Sequence, residues 1–76
     1  MTSEQTTSGE TIRITVNGEQ KAIAVMSVYD YLKYVDLDTR PLAVELNRVI
    51  LLKSEYRTTL LREGDQMEIV WFVGGG

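Results

Sequence analysis

Three glycines, Gly74, Gly75 and Gly76, close the sequence directly after the apolar run IVWFV. Glycine lacks a Cβ, so a glycine segment enters slots that are too narrow for other residues and adopts backbone angles that they avoid. Such a segment could present an α-carboxylate deep inside another protein. Glycine runs also form plain flexible linkers, and the triplet alone does not distinguish these two interpretations.

Outside the glycines, the side chains offer few groups that catalyse reactions. The sequence contains no His and no Cys, so it lacks the usual general base near neutral pH and the strongest side-chain nucleophile. Its scattered carboxylates fit a solvated surface, and no glycine-rich loop ending in Lys-Ser/Thr is present to hold a nucleotide phosphate. We therefore predict no catalytic residue, no metal site and no cofactor bound by this chain itself.

Length, charge and hydropathy restrict the class of protein. A chain of 76 residues forms one domain, and 43% hydrophobic with 25% charged residues is the balance of a folded chain. The net charge of −3 is spread along the sequence, which argues against nucleic acid as a partner. No apolar run approaches the roughly 20 residues of a membrane span, and no signal segment opens the chain. We expect no membrane partner and a cytoplasmic location.

The segment TIRITVNGEQKAIAV predicts a β-hairpin. Apolar residues alternate with polar ones in TIRITV, which is typical of a half-buried strand. Asn17-Gly18 tolerates the positive φ of a tight turn. The returning strand places Ile23 and Val25 inward.

The segment SVYDYLKYVDL changes to a helical period. Its apolar stripe consists of Val28, Tyr31, Leu32 and Val35. Ser27 is placed to cap the first turn, with Asp30 as a short capping-box partner, and the helix is expected to end around residues 35–37. Pro41 prevents the connection that follows from continuing as helix.

Three further elements follow the connection. LAVEL supplies a third strand, Asn47-Arg48 bends the chain into a short fourth strand at residues 49–51, and KSEYRTTLLREGD holds a single helical turn. In this last segment we expect Tyr56 and Leu60 to fill the core. Gly64-Asp65 then turns the chain into the final strand.

The final strand is uncharged from residue 69 to 73, a hazard at an exposed edge because it could recruit other chains. We therefore place it in the middle of the sheet, parallel to the first strand. One face carries Met67, Ile69, Trp71 and Val73, although alternation often fails at the end of a strand. The other face carries Glu68, Val70 and Phe72.

The element order ββαβ(β)β predicts an α+β roll, with four to five strands in a mixed sheet and one main helix packed on one face. We assign residues 1–10 to a disordered leader, 11–73 to the domain and 74–76 to a flexible tail. No second helix covers the opposite face of the sheet. Val70 and Phe72 are therefore candidates for a partner-docking surface, unless a loop covers them as core.

From about Thr11 to Gly76 the sequence resembles the ThiS-type sulfur carriers of thiamine biosynthesis, in the ubiquitin-like β-grasp ThiS/MoaD family. The resemblance rests on IRITVNGE, SVYDYL, AVELNRVIL and the ending YRTTLLREGDQMEIVWFVGGG. Each motif alone is weak, whereas their order, spacing and termination in glycines form a specific combination. The polar leader lies beyond the usual length of the family.

The resemblance implies a protein co-substrate rather than an enzyme. The carboxylate of Gly76 would be adenylated and converted to a thiocarboxylate, while Gly74 and Gly75 would occupy the partner's channel. The implied partners are an E1-like adenylating enzyme (ThiF type), which uses ATP and Mg²⁺, a persulfide sulfur donor and a thiazole synthase (ThiG type). Val70 and Phe72 would form a docking patch for the adenylating enzyme and the thiazole synthase.

Other functions fit the same sequence pattern. The small subunit of molybdopterin synthase also ends in two glycines, and carriers for other sulfur products or conjugating ubiquitin-like modifiers would look similar. A plain interaction module with incidental glycines is an alternative of a different class. Deletion of Gly75 and Gly76 separates that alternative from a carrier.

Overall fold

The computed structural model describes residues 10–72, which form a five-stranded mixed sheet and one helix. In chain order the elements are β1 (Thr11–Val16), β2 (Glu19–Ala24), α1 (Val28–Tyr34), β3 (Leu42–Leu46), β4 (Val49–Leu51), a 3₁₀ turn (Lys53–Glu55) and β5 (Gln66–Trp71). Across the sheet the strands lie in the order β2-β1-β5-β3-β4. The predicted α+β architecture is confirmed. Most of the predicted leader, together with residue 73 and the tail, lies outside the described residues.

β5 occupies the centre of the sheet, as its uncharged run predicts. It runs parallel to β1, with Val16 opposite Met67, and antiparallel to β3, with Val44 opposite Ile69. β5 is therefore an internal strand, but β3 pairs with it to its end whereas β1 pairs only with its first two residues.

The N-terminus of α1 is fixed by a side-chain cap and by the segment that follows the 3₁₀ turn. The Ser27 hydroxyl accepts a hydrogen bond from the Asp30 backbone N–H at 3.0 Å, as predicted. The Val28 backbone N–H donates to the Thr59 carbonyl at 2.9 Å. A helix of only seven residues is marginal alone, and these contacts join it to the rest of the fold.

The C-terminus of α1 ends in a Schellman motif. Leu37 N–H donates to the Leu32 carbonyl at 2.8 Å, and Asp36 N–H donates to the Lys33 carbonyl at 3.0 Å. Asp36 has a φ of 65° and takes the position that glycine usually occupies. The chain thereby leaves the helix within the region predicted for its end and enters the connection to β3.

The core lies between α1 and the inward face of the sheet. The predicted alternation of β1 and the predicted stripe of α1 both contribute to it, with Val35 half-buried at the end of the stripe. The buried side chains are Ile12, Ile14, Val16, Ile23, Val28, Tyr31, Leu32, Val44, Tyr56, Leu61, Met67 and Ile69.

Two predicted core positions are wrong, and a third, at the end of β5, is also exposed. Val25 is 45% exposed because β2 ends one residue before it and the chain bends away. Leu60 is 56% exposed, and its neighbour Leu61, at 1%, fills the core instead. Trp71 is 41% exposed because it lies at the end of β5, opposite the half-buried Leu42.

The part of the chain from residue 10 to 72 contains no helix with the length and apolar character of a membrane span.

Candidate functional site: the end of the central strand

The backbone of β5 is fixed up to the last described residue. Trp71 pairs with Leu42 on β3, and the Phe72 N–H donates a hydrogen bond of 3.0 Å to the Pro41 carbonyl. The central strand therefore ends beside the connection between α1 and β3. The predicted site residues Gly74, Gly75 and Gly76 lie outside the described residues.

Asn17 extends the pairing of β5 beyond the end of β1. Its backbone N–H donates to the Met67 carbonyl at 2.9 Å. Its side-chain Nδ2 donates to the Ile69 carbonyl at 3.1 Å, and its Oδ1 accepts from the Ile69 N–H at 2.7 Å. The side-chain amide thus supplies the donor and the acceptor that a further strand residue would have supplied. The positive φ of Asn17, 50°, belongs to the hairpin turn.

Asn47, in the turn between β3 and β4, binds the first residue of β5 from the β3 side. Its backbone N–H donates to the Gln66 carbonyl at 2.7 Å, and its Oδ1 accepts from the Gln66 N–H at 2.9 Å. Its Nδ2 donates to Oδ1 of Asp65 at 3.0 Å. Both asparagines lie in hairpin turns and both bind the backbone of β5, so they fix its register from two sides.

Val70 and Phe72 project from the face of the sheet that α1 does not cover, which we call the open face. They are 57% and 62% exposed, so no loop within the described residues buries them as core. A groove runs along this face. Ala43, directly opposite Val70 on β3, and Ile50 on β4, which is 70% exposed, both line it. The groove has a volume of about 640 Å³ and an apolar end near Phe72.

Charged side chains line the other end of the open face. Glu45 on β3 lies directly opposite Glu68 on β5, and Arg48 borders the same groove. Like charges opposite each other on neighbouring strands are mildly destabilising. The open face therefore combines an apolar end near the end of β5 with a polar end near the start of β5.

Two core tyrosines support the sheet from the covered side. Burial raises the pKa of Tyr31, with Lys21 opposing this and Tyr34 and Glu19 adding to it. Burial also raises the pKa of Tyr56, whereas a hydrogen bond to the Val44 backbone lowers it. Both phenols are therefore held neutral in the fold well above neutral pH.

Among residues 10–72, no three His, Cys, Asp or Glu side chains are grouped so that they could hold a metal ion.

A sequence model of the ThiS family matches residues 8–76.

The chain belongs to the ThiS family.

Solved structures of this family agree with the fold. The crystal structure of the thiamine biosynthesis protein ThiS of Geobacter metallireducens superposes with a TM-score of 0.73 at 28% identity, covering 86% of this chain and all 100% of that one. Its solution structure gives a TM-score of 0.72 over 88% of its length. The sheet and helix described above are therefore a ThiS-type β-grasp fold.

Relatives in sequence include proteins of two lengths. The chain is 39% identical over 66 residues to a thiazole synthase of Paramagnetospirillum magneticum, which covers 86% of this chain and 20% of that protein. It is 35% identical to the protein ycf40 of Pyropia yezoensis, over 93% of that protein. The chain thus spans about a fifth of the length of the thiazole synthase and nearly all of ycf40.

The sequence alone located the apolar part of the open face but missed the contacts that hold β5. Val70 and Phe72 follow from strand alternation, and the structure brings them together with Ala43 and Ile50. The roles of Asn17 and Asn47 were missed because each Asn was assigned only to a turn. The one available signal was that both hairpins carry Asn at the first turn position.

Proposed function

We propose that this member of the ThiS family is a sulfur carrier for thiazole synthesis in thiamine biosynthesis. Its carboxylate at Gly76 would be adenylated, converted to a thiocarboxylate and consumed as a sulfur source. The observation that carries the proposal is the family match, which runs through Gly76 and therefore includes the glycine segment. The chain itself is a co-substrate, and the proposed partners supply the catalysis in the cytoplasm.

The chemistry of a carboxylate explains why partners are needed. A carboxylate resists nucleophilic attack, so one of its oxygens would first attack the α-phosphorus of ATP, with release of pyrophosphate. The adenylating enzyme would supply ATP and Mg²⁺, since this sequence has no phosphate-binding loop. The terminal sulfur of a persulfide donor would then attack the carbonyl carbon and expel AMP. A thiol would cleave the remaining S–S bond and leave the thiocarboxylate.

A thiazole synthase as sulfur acceptor is supported by the relatives. The proteins named thiazole synthase in Paramagnetospirillum magneticum and Magnetococcus marinus each contain a segment similar to 66 residues of this chain, at 39% and 33% identity. In each, the similar segment is 20% of a longer polypeptide. A carrier-like segment within the same polypeptide as a synthase is expected if the two act on each other. These relatives favour the thiazole route over molybdopterin synthesis.

The open face is proposed as the docking surface for these partners. Four residues lie between Phe72 and the end of Gly76, and four residues span at most about 14 Å. An active site that holds Gly76 must therefore also lie close to Phe72 and Val70. Their exposed apolar area beside the groove is the type of surface that becomes buried in a protein interface.

The proposal is tested by loading the chain with sulfur. We expect incubation with ATP, Mg²⁺, the adenylating enzyme of the same organism and a persulfide donor to replace one C-terminal oxygen by sulfur. Intact-mass spectrometry detects that replacement, and addition of thiazole synthase with its other substrates is expected to reverse it. A chain that lacks Gly75 and Gly76 is the control and should not be loaded. An unchanged mass with partners that load another carrier would contradict the proposal.

A further inference from the structure

A second concave site lies on the helix side of the molecule, close to the end of β5. It has a volume of about 210 Å³ and is formed by α1, the connection before β3 and the segment around the 3₁₀ turn. Its charged side chains are Arg40, Lys53, Arg57 and Asp38. We call this site the basic pocket. Nothing in the proposed carrier chemistry uses it.

The guanidinium of Arg57 is held in place by an aromatic ring. Its Cζ lies 4.0 Å from the centroid of the Tyr29 ring, and Nζ of Lys33 lies 6.0 Å from the same centroid. A guanidinium packed over an aromatic ring can still offer its N–H groups to a planar, two-oxygen acceptor. Arg57 is therefore prepared to bind a carboxylate or a phosphate.

The cations of the basic pocket have no carboxylate partner within ion-pair distance in the part of the chain that the structure describes. The two ion pairs found there join Arg13 to Glu63 and Lys21 to Glu19, and none of these residues lines the pocket. Three cations against one carboxylate give the pocket a positive excess on a chain whose net charge is −3. This local reversal of charge favours an anionic occupant.

The position of the pocket connects it to the segment that partners would hold. Pro41 and Leu42 form part of its wall, and these two residues bind the end of β5 through Phe72 and Trp71. A protein that encloses the residues after Phe72 would therefore pass next to the pocket. The open face and the basic pocket lie on opposite sides of the end of β5.

The size of the pocket selects the kind of anion. Sites for nucleotides and drug-sized ligands have volumes of about 300–1,000 Å³, whereas this pocket has about 210 Å³. One acidic side chain fits that volume, and the walls contributed by Leu32 and Tyr56 suit its methylene groups.

We propose that the basic pocket binds an aspartate or glutamate side chain of the protein that loads or unloads the tail. This inference rests on the proposed function, because it takes the adenylating enzyme or the thiazole synthase as the protein that supplies the carboxylate. Two-sided contact, with apolar residues on the open face and an ion pair on the helix side, would fix the direction in which the tail leaves β5.

Substitution of Arg57 tests the charge of the pocket. We expect Arg57→Gln to weaken the Kd for at least one of the two enzymes about tenfold, the effect of one lost charge-assisted hydrogen bond. Arg57→Lys keeps the charge but loses the planar pair of N–H donors, so it should bind between the wild type and Arg57→Gln. Arg62→Gln, an exposed arginine outside the pocket, should behave like the wild type. The loading rate at saturating carrier should not change, since Arg57 does not take part in the chemistry. Added salt should weaken wild-type binding more than binding of Arg57→Gln.

Carbodiimide crosslinking tests the occupant directly, since it joins an amine only to a carboxylate in contact with it. The chain has three lysines, Lys21, Lys33 and Lys53. We expect mass spectrometry of the crosslinked complex to find Lys53 joined to one Asp or Glu of the enzyme, and Lys21 not joined.

The outcomes separate the two proposals. Normal loading of the wild type, together with unchanged binding of Arg57→Gln to both enzymes and no crosslink at Lys53, would overturn the basic pocket alone. A wild type that binds neither enzyme and is not loaded would overturn both proposals. Weaker binding of Arg57→Gln with a crosslink at Lys53 supports the pocket, whichever of the two enzymes supplies the carboxylate.

Discussion

The side-chain amide of Asn17 forms two hydrogen bonds to the backbone of Ile69, a residue that is 52 positions later in the sequence. Nδ2 donates to the Ile69 carbonyl at 3.1 Å and Oδ1 accepts from the Ile69 N–H at 2.7 Å. The turn of the first hairpin therefore also forms the last hydrogen bonds along the side of β5 that pairs with β1. Because β5 leads to the proposed site of sulfur loading, this contact fixes the strand that precedes the tail.

Asn17→Gly isolates the contribution of this amide, because glycine accepts the φ of 50° at this position. Two hydrogen bonds of about 0.5–1.5 kcal/mol each would be lost. We expect the free energy of unfolding in urea to fall by about 1–3 kcal/mol. Arg48→Gly is the control, since Arg48 also has a positive φ, 71°, in the second hairpin turn. Equal losses in the two variants would show that the amide contributes nothing beyond the turn.

Leu60 and Leu61 are adjacent leucines with opposite environments, 56% and 1% exposed. We expect Leu61→Ala to lower the free energy of unfolding by about 2–5 kcal/mol, because it removes a fully buried side chain and leaves a cavity. Leu60→Ala should change it by less than about 1 kcal/mol. Urea unfolding of both variants checks the assignment. A larger loss for Leu60→Ala than for Leu61→Ala would contradict the burial of Leu61 in the core.

The same pair of leucines shows where sequence patterns stop being informative. In β1, β5 and α1 the apolar period is regular, so each inward side chain could be assigned from its neighbours. The segment between the 3₁₀ turn and β5 has no period, and its direction is set by backbone contacts such as Leu61 N–H to the Met26 carbonyl at 2.9 Å. Such a contact decides which of two leucines faces inward, and it has no local signature.

The two proposed binding surfaces also differ in how far a sequence pattern predicts them. Val70 and Phe72 are on one strand, so alternation and an uncovered face were enough to predict their exposure. The cations of the basic pocket come from residues 40, 53 and 57, on segments that approach each other only in the fold. Their charges look like ordinary solvated surface in the sequence. The tertiary arrangement alone brings them to the end of β5.

Val70→Ser and Phe72→Ser test the open face as a docking surface. Because both side chains are largely exposed, each change should alter the free energy of unfolding by less than about 1 kcal/mol. We expect Phe72→Ser to weaken binding to the adenylating enzyme about 30-fold, the effect of a central aromatic contact of about 2 kcal/mol. Isothermal titration calorimetry measures this affinity.

The matched control for the open face is Val49→Ser. Val49 is 62% exposed, much like Val70 at 57%, but it alternates with Ile50 and so does not lie on the open face. Its substitution should leave the affinity unchanged. A similar loss of affinity at residues 49 and 70 would indicate a general effect of surface hydrophobicity rather than a defined docking surface.

Stability is expected to fall at alkaline pH because of the two buried tyrosines. Burial raises the pKa of Tyr31 and Tyr56 above the usual value of 10.0. Above about pH 10 the unfolded chain therefore releases phenol protons that the folded chain retains, so the free energy of unfolding decreases as pH rises. Urea unfolding between about pH 8 and pH 11.5 should give a flat region followed by a decline. Tyr31→Phe should reduce the slope above pH 10, and an unchanged slope would exclude Tyr31 as its source.

Gly75→Val tests the steric role proposed for the tail. The residue follows the last described strand, so the branched side chain should leave the free energy of unfolding unchanged. A channel shaped for glycine should not admit it, and we expect the rate of sulfur loading to fall at least about 100-fold, as for other misplaced reacting groups. Intact-mass spectrometry over time measures loading, and Gly75→Ala should give an intermediate rate because it adds only one methyl group. Normal loading of Gly75→Val would mean that the partner's channel does not exclude a branched side chain. The glycines would then need a different explanation.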